Sequence, residues 1–460
     1  MSLNSISPID GRYEKSASAL SPFMSEQGLM RYRIIVEGEY FIALSELKLK
    51  LRKLSENEKK IVRSLYALSD TDAKIISDIE TKGYKNIKAT DHDVKAVEYF
   101  MKEKLGSTSL KDTLEWIHFG LTSEDTNNLS YALMLSQSLE DVVLPKINKI
   151  ILELNTLAAK HKNTPMLART HGQSASPTTF GKEMKVFAER LKRYSNILEN
   201  VGISAKLNGA TGNFNAHVAA YPNINWIKFS KDFISGLNKK FGVKLEANMH
   251  TTQIEPHDSY IDLFDNLRKI NTILMGLNQD MWRYISDEWV VQKPTEGAVG
   301  SSTMPHKVNP IKFENSEGNL GIANSLFEFF GRKLPISRLQ RDLSDSTVQR
   351  NFGTAFAHSL IAYEYLLKGL EKISVNEIKI KEDLAKHPEV VAEAIQTILR
   401  REGVEMPYEK LKALTRGKKI ELSDIHEFIT KLEVSEKIKK ELLSFTPLNY
   451  VGLAGKLASK

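Results

Sequence analysis

The chain of 460 residues contains no cysteine. Disulfides and thiolate metal sites are therefore excluded, and the composition fits a reducing compartment. No apolar run approaches the roughly 18 residues that a membrane-spanning helix needs. The first residues carry neither a basic region nor an apolar stretch, so we expect no secretory signal. These absences favour a cytoplasmic protein that does not contact a membrane.

Three familiar catalytic patterns are also missing. No glycine-rich turn of the dinucleotide-binding type occurs, which argues against the usual nucleotide-cofactor folds. The histidines fall in no H-E-x-x-H spacing or similar arrangement, so we expect no metal site. There is no G-x-S-x-G elbow, which disfavours a serine hydrolase. The sequence thus predicts a protein without a cofactor.

The net charge of +7 is modest for this length. The lysines are scattered among acids, as in Lys102-Glu103-Lys104, and they form no uniform basic stripe. We interpret most of this charge as solvated helix surface and expect no nucleic-acid partner. A small positive bias would also help to gather a polyanionic small substrate.

Apolar residues recur mostly every three or four positions, which is typical of α-helices. One stripe consists of Leu139, Val143, Ile147, Ile150, Ile151, Leu154 and Leu157. A second consists of Tyr260, Leu263, Phe264, Leu267, Ile270, Leu274, Leu277, Met281 and Ile285. Each segment is about 20–25 residues long, so we predict an all-α fold with a bundle of long helices. Pro145 should kink the first helix or break it locally.

Glycine and polar residues near Gly106 and Gly369 divide the helical pattern. We predict three helical domains at residues 1–111, 112–367 and 368–460. The first would be a small N-terminal domain, the second the long-helix bundle, and the third a C-terminal helical domain. The apolar stripes exceed what the flanking domains could cover, which predicts that the central helices pack across subunits.

The segment Gly300–Pro310 is the most informative part of the chain. It combines glycine, three hydroxyls, a lysine, an asparagine and two prolines between long helical patterns. Its glycine permits close backbone approach, and successive N–H groups beside Lys307 would suit an anion. An ordinary polar connector is the alternative, but loops of this composition between rigid elements more often carry function.

Three further segments combine histidine, hydroxyl and acid, and the third of them contains His171. Thr90 could cap a helix whose first turn holds Asp91 and Asp93, which leaves His92 unexplained. Thr122 is a candidate N-cap with Asp125 three residues later, and the same helix start could equally bind an anion.

His171, in Arg169–Gln173, could act as a general acid or base, or could be an ordinary hydrogen-bonded histidine. Arg341 and Arg350 lie close enough in sequence to capture phosphate or carboxylate together, although exposed arginines are the simpler interpretation.

Together these segments resemble a known family. Gly300–Pro310 is similar to the signature loop of the fumarase/aspartase superfamily, G-S-S-x-M-P-x-K-x-N-P. Ser7–Tyr13 and Arg341–Thr347 resemble an opening motif and a phosphate-side segment of the adenylosuccinate lyase family, in its bacterial form. The resemblance implies β-elimination of fumarate from adenylosuccinate, giving AMP, and from the succinyl-carboxamide ribotide SAICAR, giving AICAR. It also implies a homotetramer with active sites shared between chains.

The resemblance assigns roles by position. Ser301 would be the general base and His171 the general acid. The implied substrate-binding residues are Arg12, Tyr13, Asp91, His92, Asp93, Thr122, Ser123, Gln253, Ser302, Lys307, Asn309, Arg341, Ser346 and Arg350. Asp91 departs from the family pattern, because an anion there would repel phosphate if it pointed inward.

Two alternatives stay open at this point. Another fumarate-releasing lyase, such as argininosuccinate lyase or fumarase, would share the signature loop. A non-catalytic structural or RNA-binding protein would fit the positive charge, but it would not need Ser301, His171 and Lys307 together.

Overall fold

The computed structural model describes residues 4–293, 304, 307–415 and 420–459. The chain divides into two compact units, each assembled from separate stretches. The first unit comprises Met1–Lys146, Tyr194–Thr272 and Gly318–Glu364, and the second comprises Ile147–Arg193, Ile273–Glu317 and Tyr365–Lys460. The three domains predicted at residues 1–111, 112–367 and 368–460 stay a prediction.

Helices dominate both units, which confirms the predicted all-α class. The α-helices of the first unit are Glu14–Ala17, Ser21–Met24, Glu26–Leu44, Glu56–Ser64, Asp70–Thr81, Asp93–Leu105, Ser123–Ser138, Asn215–Ala220, Trp226–Phe241 and Ser344–Gln349. Those of the second unit are Glu377–Ala385, Ala392–Arg401, Pro407–Thr415, Leu422–Thr430, Glu436–Leu443 and Ala454–Ala458. Long helices with residues in both units are Leu144–Lys160, Phe180–Leu198, Asp258–Ser286, Ile311–Lys333 and Phe352–Leu370. None of the described helices is long and apolar enough to cross a membrane.

Short strands, which the sequence analysis did not predict, form three two-stranded sheets among the described residues. Pro165–Thr170 pairs antiparallel with Gln173–Thr179, and Val290–Gln292 pairs antiparallel with Ile373–Val375. Ile203–Ala205 pairs in parallel with Leu245–Ala247. Short 3-10 helices occur at Ser18–Leu20, Leu65–Ala67, Lys111–Trp116 and Pro388–Val391.

The single chain buries nearly all residues of the two apolar stripes, although Ile151 and Leu157 of the first stripe are partly exposed. The expectation that these stripes exceed what one chain can cover was therefore wrong. Tyr260, Leu263, Phe264, Leu267, Ile270, Leu274, Leu277 and Met281 are all buried, and only Ile285 at the end of that stripe is partly exposed. In the first unit Phe264 contacts the rings of Phe327, Phe330 and Phe352. Burial of such side chains contributes about 1.5–3 kcal/mol each.

The local break predicted at Pro145 is a π-helical turn. Residues Leu139–Val143 are π-helical, and Leu144 N donates to Leu139 O. The regular α-helix begins again at Leu144, one residue before the proline. Because proline has no N–H to donate and its ring crowds the preceding turn, a widened turn relieves both problems.

A buried ion pair fixes the start of the helix Ser123–Ser138. Lys206 Nζ donates to Asp125 Oδ1 over 2.7 Å, and both side chains are 0% exposed. The Asp125 carboxylate also accepts from the backbone N–H groups of Thr122, Asn208 and Gly209 over 3.0–3.2 Å. One carboxylate therefore joins this helix start to the chain that follows the strand Ile203–Ala205.

We predict that Lys206→Met lowers the free energy of unfolding by about 3–5 kcal/mol, because it leaves Asp125 buried without its cation. Denaturant unfolding followed by circular dichroism would measure the change. The matched control is Lys228→Met, which removes the exposed partner of Asp232 and should leave unfolding unchanged. A Lys206→Met protein as stable as the control would contradict the anchoring role.

Candidate active site

The start of the helix Ser123–Ser138 brings several predicted residues together in the first unit. Thr122 is its N-cap, and Asp125 completes the predicted capping box by accepting from Thr122 N. Gln253 Nε2 donates to Thr122 Oγ1 over 3.5 Å, and Ser123 Oγ lies 3.3 Å from His92 Nε2. Side chains from three distant segments thus meet at a helix N-terminus, where N–H groups and the helix dipole favour anions.

His92 caps the helix Asp93–Leu105, so the prediction that Thr90 is the cap was wrong. His92 Nδ1 accepts from Lys95 N over 3.2 Å. Thr90 Oγ1 instead donates to His92 O over 3.0 Å and orders the approach to the helix. This cap sets the ring so that Nε2 faces Ser123, which gives His92 a structural reason for its position.

Asp93 lies between two guanidinium groups. Arg33 Nη2 donates to Asp93 Oδ2 over 2.6 Å, and Arg350 Nη2 donates to the same oxygen over 2.8 Å. Arg350 also bonds the carboxylate of Glu26. Burial alone would raise the pKa of Asp93, but the charges of Arg33 and Arg350 and the hydrogen bonds hold it below its ordinary value. The carboxylate of Asp93 therefore positions Arg350.

Asp91, the neighbour of this group, is exposed and adopts a left-handed backbone with φ 48°. Its N–H donates to Glu80 O over 2.9 Å. Asparagine and aspartate are the non-glycine residues that best tolerate this conformation, so the backbone accounts for Asp91 without a ligand.

The N-terminal motif and Arg350 line one cavity of about 260 Å³. Ser7, Ile9, Asp10 and Glu14 contribute to its wall. Arg12 is exposed and is not part of that wall, and the partly exposed Tyr13 donates its N–H to Pro8 O. Ser346, on the short helix Ser344–Gln349, accepts from Arg350 N over 3.3 Å. The structure thus groups the N-terminal segment with Arg350, whereas neither Arg12 nor Ser346 lines this cavity.

Arg341 contacts a buried carboxylate that the sequence analysis did not single out. Its Nη2 lies 3.2 Å from Glu124 Oε2, and the Glu124 side chain is 1% exposed. Burial raises the pKa of Glu124 to about 7, against the opposing charge of Arg341. His257 and Asp345 lie beside Glu124.

In the second unit His171 occupies the tip of a β-hairpin. The strands Pro165–Thr170 and Gln173–Thr179 pair up to Thr170 and Gln173, which leaves His171 and Gly172 as a two-residue turn. Both have positive φ, 53° and 75°, as a type I′ turn requires. His171 is exposed. A histidine held in this uncommon conformation points to a functional constraint.

The described end of the signature loop also belongs to the second unit. Lys307 is exposed and donates its N–H to Met304 O over 3.0 Å, while Asn309 is partly exposed. Gln292 Nε2 donates to Val308 O over 3.0 Å, and the helix Ile311–Lys333 begins after Pro310. Ser301 and Ser302 lie outside the described residues.

Four residues of the first unit were missed by the sequence analysis: Arg33, Glu124, His257 and Asp345. Arg33 is 2% exposed on the helix Glu26–Leu44, which also carries Arg31, Glu37 and Glu39, so no pattern in the sequence singles it out. Each of the other three lies within four residues of a predicted site residue. Their pairing depends on contacts between distant segments, which spacing alone does not reveal.

Comparison with known proteins assigns the chain to a family. The profile of the family described as Lyase matches residues 11–323, and that described as Adenylosuccinate lyase C-terminal matches residues 337–451. The chain is 50% identical to an adenylosuccinate lyase of Dictyostelium discoideum over 98% of its length and 97% of the relative's. It is 46% identical to that of Haemophilus influenzae, over 100% of this chain and 98% of the relative.

Solved structures agree on the fold. A 3-carboxy-cis,cis-muconate lactonizing enzyme from Pseudomonas putida superposes with a TM-score of 0.73 at 18% identity, covering 96% of both chains. A fumarate lyase from Mesorhizobium gives 0.73 at 16% identity, again over 96% of both chains. From its sequence similarity over the full length, the chain belongs to the adenylosuccinate lyase family and is a lyase.

Proposed function

We propose that this enzyme removes fumarate from adenylosuccinate by β-elimination and leaves AMP. We propose the same elimination for SAICAR, which leaves AICAR. The observation that carries the proposal is the similarity over the full length to relatives named adenylosuccinate lyase. The grouping of Thr122, Ser123, Gln253 and His92 at a helix start supports it, because a polyanionic substrate needs such donors.

We assign the phosphate end of the substrate to Arg350 and Ser346, together with Arg12 and Tyr13 and with support from His92. A guanidinium group has five N–H donors, so Arg350 can contact a phosphate oxygen while it keeps its hydrogen bond to Asp93. Argininosuccinate lyase and fumarase need no phosphate contact, so this group of residues favours a phosphorylated substrate. We assign no substrate contact with Asp91 beyond its place in the turn before His92.

The succinyl end of the substrate carries two carboxylates. We assign them to the N-terminus of the 16-residue helix that starts at Ser123 and to the signature loop. The purine, or its open-ring precursor, would be oriented by Gln253 and Arg341. The residues proposed around the carboxylates are Thr122, Ser123, Ser302, Lys307 and Asn309.

The elimination requires a base, an acid and stabilisation of negative charge. In our proposal the Ser301 alkoxide removes the proton from the carbon next to a carboxylate, and the electron pair forms a dianionic aci-carboxylate. The C–N bond then breaks as the double bond of fumarate forms, and His171 protonates the leaving nitrogen. Lys307 and the loop N–H groups would stabilise the developing charge, which is usually the largest catalytic term.

We predict that the purified protein releases fumarate from adenylosuccinate without added metal or nucleotide, and that Ser301→Ala lowers turnover by at least about 100-fold. Binding of adenylosuccinate should remain nearly intact, because the hydroxyl acts in proton removal. Absorbance assays and calorimetry would measure the two quantities. The matched control is Ser325→Ala, an exposed serine on the helix Ile311–Lys333. Turnover above roughly a tenth of wild type in Ser301→Ala would show that another group is the base.

Arg350→Ala should weaken AMP binding by about 2–5 kcal/mol, and Arg12→Ala should act in the same direction. Binding of adenosine, which lacks the phosphate, should change little, so calorimetry with both ligands separates the phosphate contact from general damage. Arg332→Ala, on an exposed arginine paired with Glu328, serves as the control. Equal losses for AMP and adenosine would contradict the phosphate assignment.

We also propose a homotetramer in which each site takes His171 and Ser301 from different chains. The family resemblance supports this assembly. Inactive Ser301→Ala and His171→Asn proteins, dissociated and reassembled at equal amounts, should then regain activity in roughly a quarter of sites. Asparagine is used because it tolerates the left-handed backbone at this position. A mixture that stays inactive while it forms mixed tetramers would show that one chain supplies both residues.

A further inference from the structure

Glu124, His257 and Asp345 form a group in the first unit that we call the buried acid cluster. Their side-chain ligand atoms all lie within 4.8 Å of one another. The three residues are 1%, 0% and 3% exposed. His257 stacks on Tyr260, with the ring centroids 4.9 Å apart, and adopts a left-handed backbone with φ 62°. A strained backbone in a fully buried histidine indicates that the surroundings hold this ring in place.

The cluster is short of hydrogen-bond donors. Among the described residues, neither carboxylate oxygen of Glu124 and neither of Asp345 has a hydrogen-bond partner, and His257 Nδ1 also has none. Buried polar atoms are normally paired, so several unpaired atoms in one place require an explanation. The hydrogen bonds that His257 makes are with residues outside the cluster. Gln349 Nε2 lies 3.0 Å from His257 Nε2, and His257 N donates to Glu255.

Negative charge exceeds positive charge in this part of the core. Glu124 lies 3.2 Å from the guanidinium of Arg341, whereas Glu255 and Asp345 lie 3.7 Å and 3.8 Å from the ring nitrogens of His257. The nearby Lys206 is committed to Asp125. A neighbouring buried carboxylate disfavours the ionised form of Glu124, in the same direction as burial does. Burial first, and then the charge of Asp345, raise the pKa of Glu124 to about 7 against the charges of Arg341, His257 and Lys206.

Each member of the cluster lies within four residues of a proposed substrate contact in the sequence. Glu124 directly follows Ser123, and Asp345 directly precedes Ser346. His257 lies four residues after Gln253. Arg341, which we assigned to the purine, is the one cation in contact with Glu124 among the described residues. The contact with Arg341 therefore links the cluster to the proposed purine end of the site.

We propose that Glu124 is a positioning residue that holds the guanidinium of Arg341 toward the purine, and that the protonation of Glu124 controls how firmly it does so. This inference rests on the proposed function. Ionised Glu124 attracts Arg341, and protonated Glu124 lets it go. The spacing of the three ligand atoms would also admit a metal cation, but Arg341 already supplies a positive charge beside Glu124.

The sign of the pH dependence follows from the raised pKa. Above about pH 7 Glu124 is ionised and holds Arg341, so the KM for adenylosuccinate is low; as the pH falls through about 7, KM rises. The contribution of Glu124 to the free energy of unfolding falls as the pH rises, whereas substrate affinity increases. A raised pKa means that the folded protein favours protonated Glu124, so this stability is complete below the ordinary value of 4.5 and is lost as the pH rises through about 7.

The test is Glu124→Gln, which keeps the shape of the side chain and removes its charge. At pH 8 we expect KM to rise about tenfold with kcat changed less than threefold, and at pH 6 we expect the KM values of variant and wild type to converge. Glu124→Asp, which keeps the charge, should recover part of the affinity. The matched control is Glu58→Gln, because Glu58 is a buried glutamate that pairs with Arg52 away from the site.

A double-mutant cycle separates positioning from general support. In an Arg341→Ala background, Glu124→Gln should change KM by less than twofold, since the two residues would act through one contact. The wild-type dependence of KM on pH near 7 should also disappear in Arg341→Ala, a measurement that does not require Glu124→Gln to fold. The melting temperature of Glu124→Gln at pH 8 should be no lower than that of wild type.

Several results would overturn the proposal. An unchanged KM in Glu124→Gln, additive losses in the cycle, or losses matched by Glu58→Gln would each do so. One equivalent of bound metal per chain, removed by Glu124→Gln in elemental analysis, would make the cluster a metal site instead. Wild-type protein that releases no fumarate from adenylosuccinate would overturn the proposed function itself. Normal wild-type turnover with an unchanged variant would overturn only the positioning role.

Discussion

The carboxylate of Asp125 is the interaction on which the first unit's part of the candidate site depends. It accepts from Lys206 and from three backbone N–H groups, and one of these belongs to Thr122. Thr122, Ser123 and Glu124 lie at the three positions before it, so their placement follows from this anchor. Desolvating a lysine and an aspartate is costly, and a pair this well hydrogen-bonded offsets the cost. The fold uses its most deeply buried charges to fix a helix start rather than to contact a ligand.

Three arginines of the first unit, Arg33, Arg341 and Arg350, are each held by a carboxylate. Arg350 contacts Asp93 and Glu26, Arg33 contacts Asp93, and Arg341 contacts Glu124. Side chains oriented in advance lose less entropy when a ligand binds. Carboxylates beside the arginines also repel anions that cannot offer strong contacts of their own, which favours discrimination over raw affinity. Arginines that attract an anionic ligand therefore lie within a few ångströms of carboxylates that repel it.

The sequence predicted the helical fold well, because the stripes from Tyr260 to Met281 follow the helical period and are buried as expected. It also predicted the capping box at Thr122, which depends only on residues three apart. The cap at His92 was missed, because the choice between Thr90 and His92 depends on a tertiary hydrogen bond from Asp91 to Glu80. Arg33, Glu124, His257 and Asp345 were missed for a similar reason, since their partners lie far away in sequence. The hairpin around His171 escaped notice because its two strands are short and partly polar.

The turn at His171 and Gly172 limits what that part of the chain can become. Two consecutive left-handed residues disfavour β-branched side chains and add strain for most others, although Lys85, Phe214 and Glu288 adopt a positive φ elsewhere in this chain. A substitution at position 171 therefore changes backbone strain as well as side-chain chemistry, and it does so least for glycine, asparagine or aspartate. None of these three exchanges protons near neutral pH in its ordinary range. Of the residues that such a turn tolerates best, histidine is the one whose unperturbed side chain does.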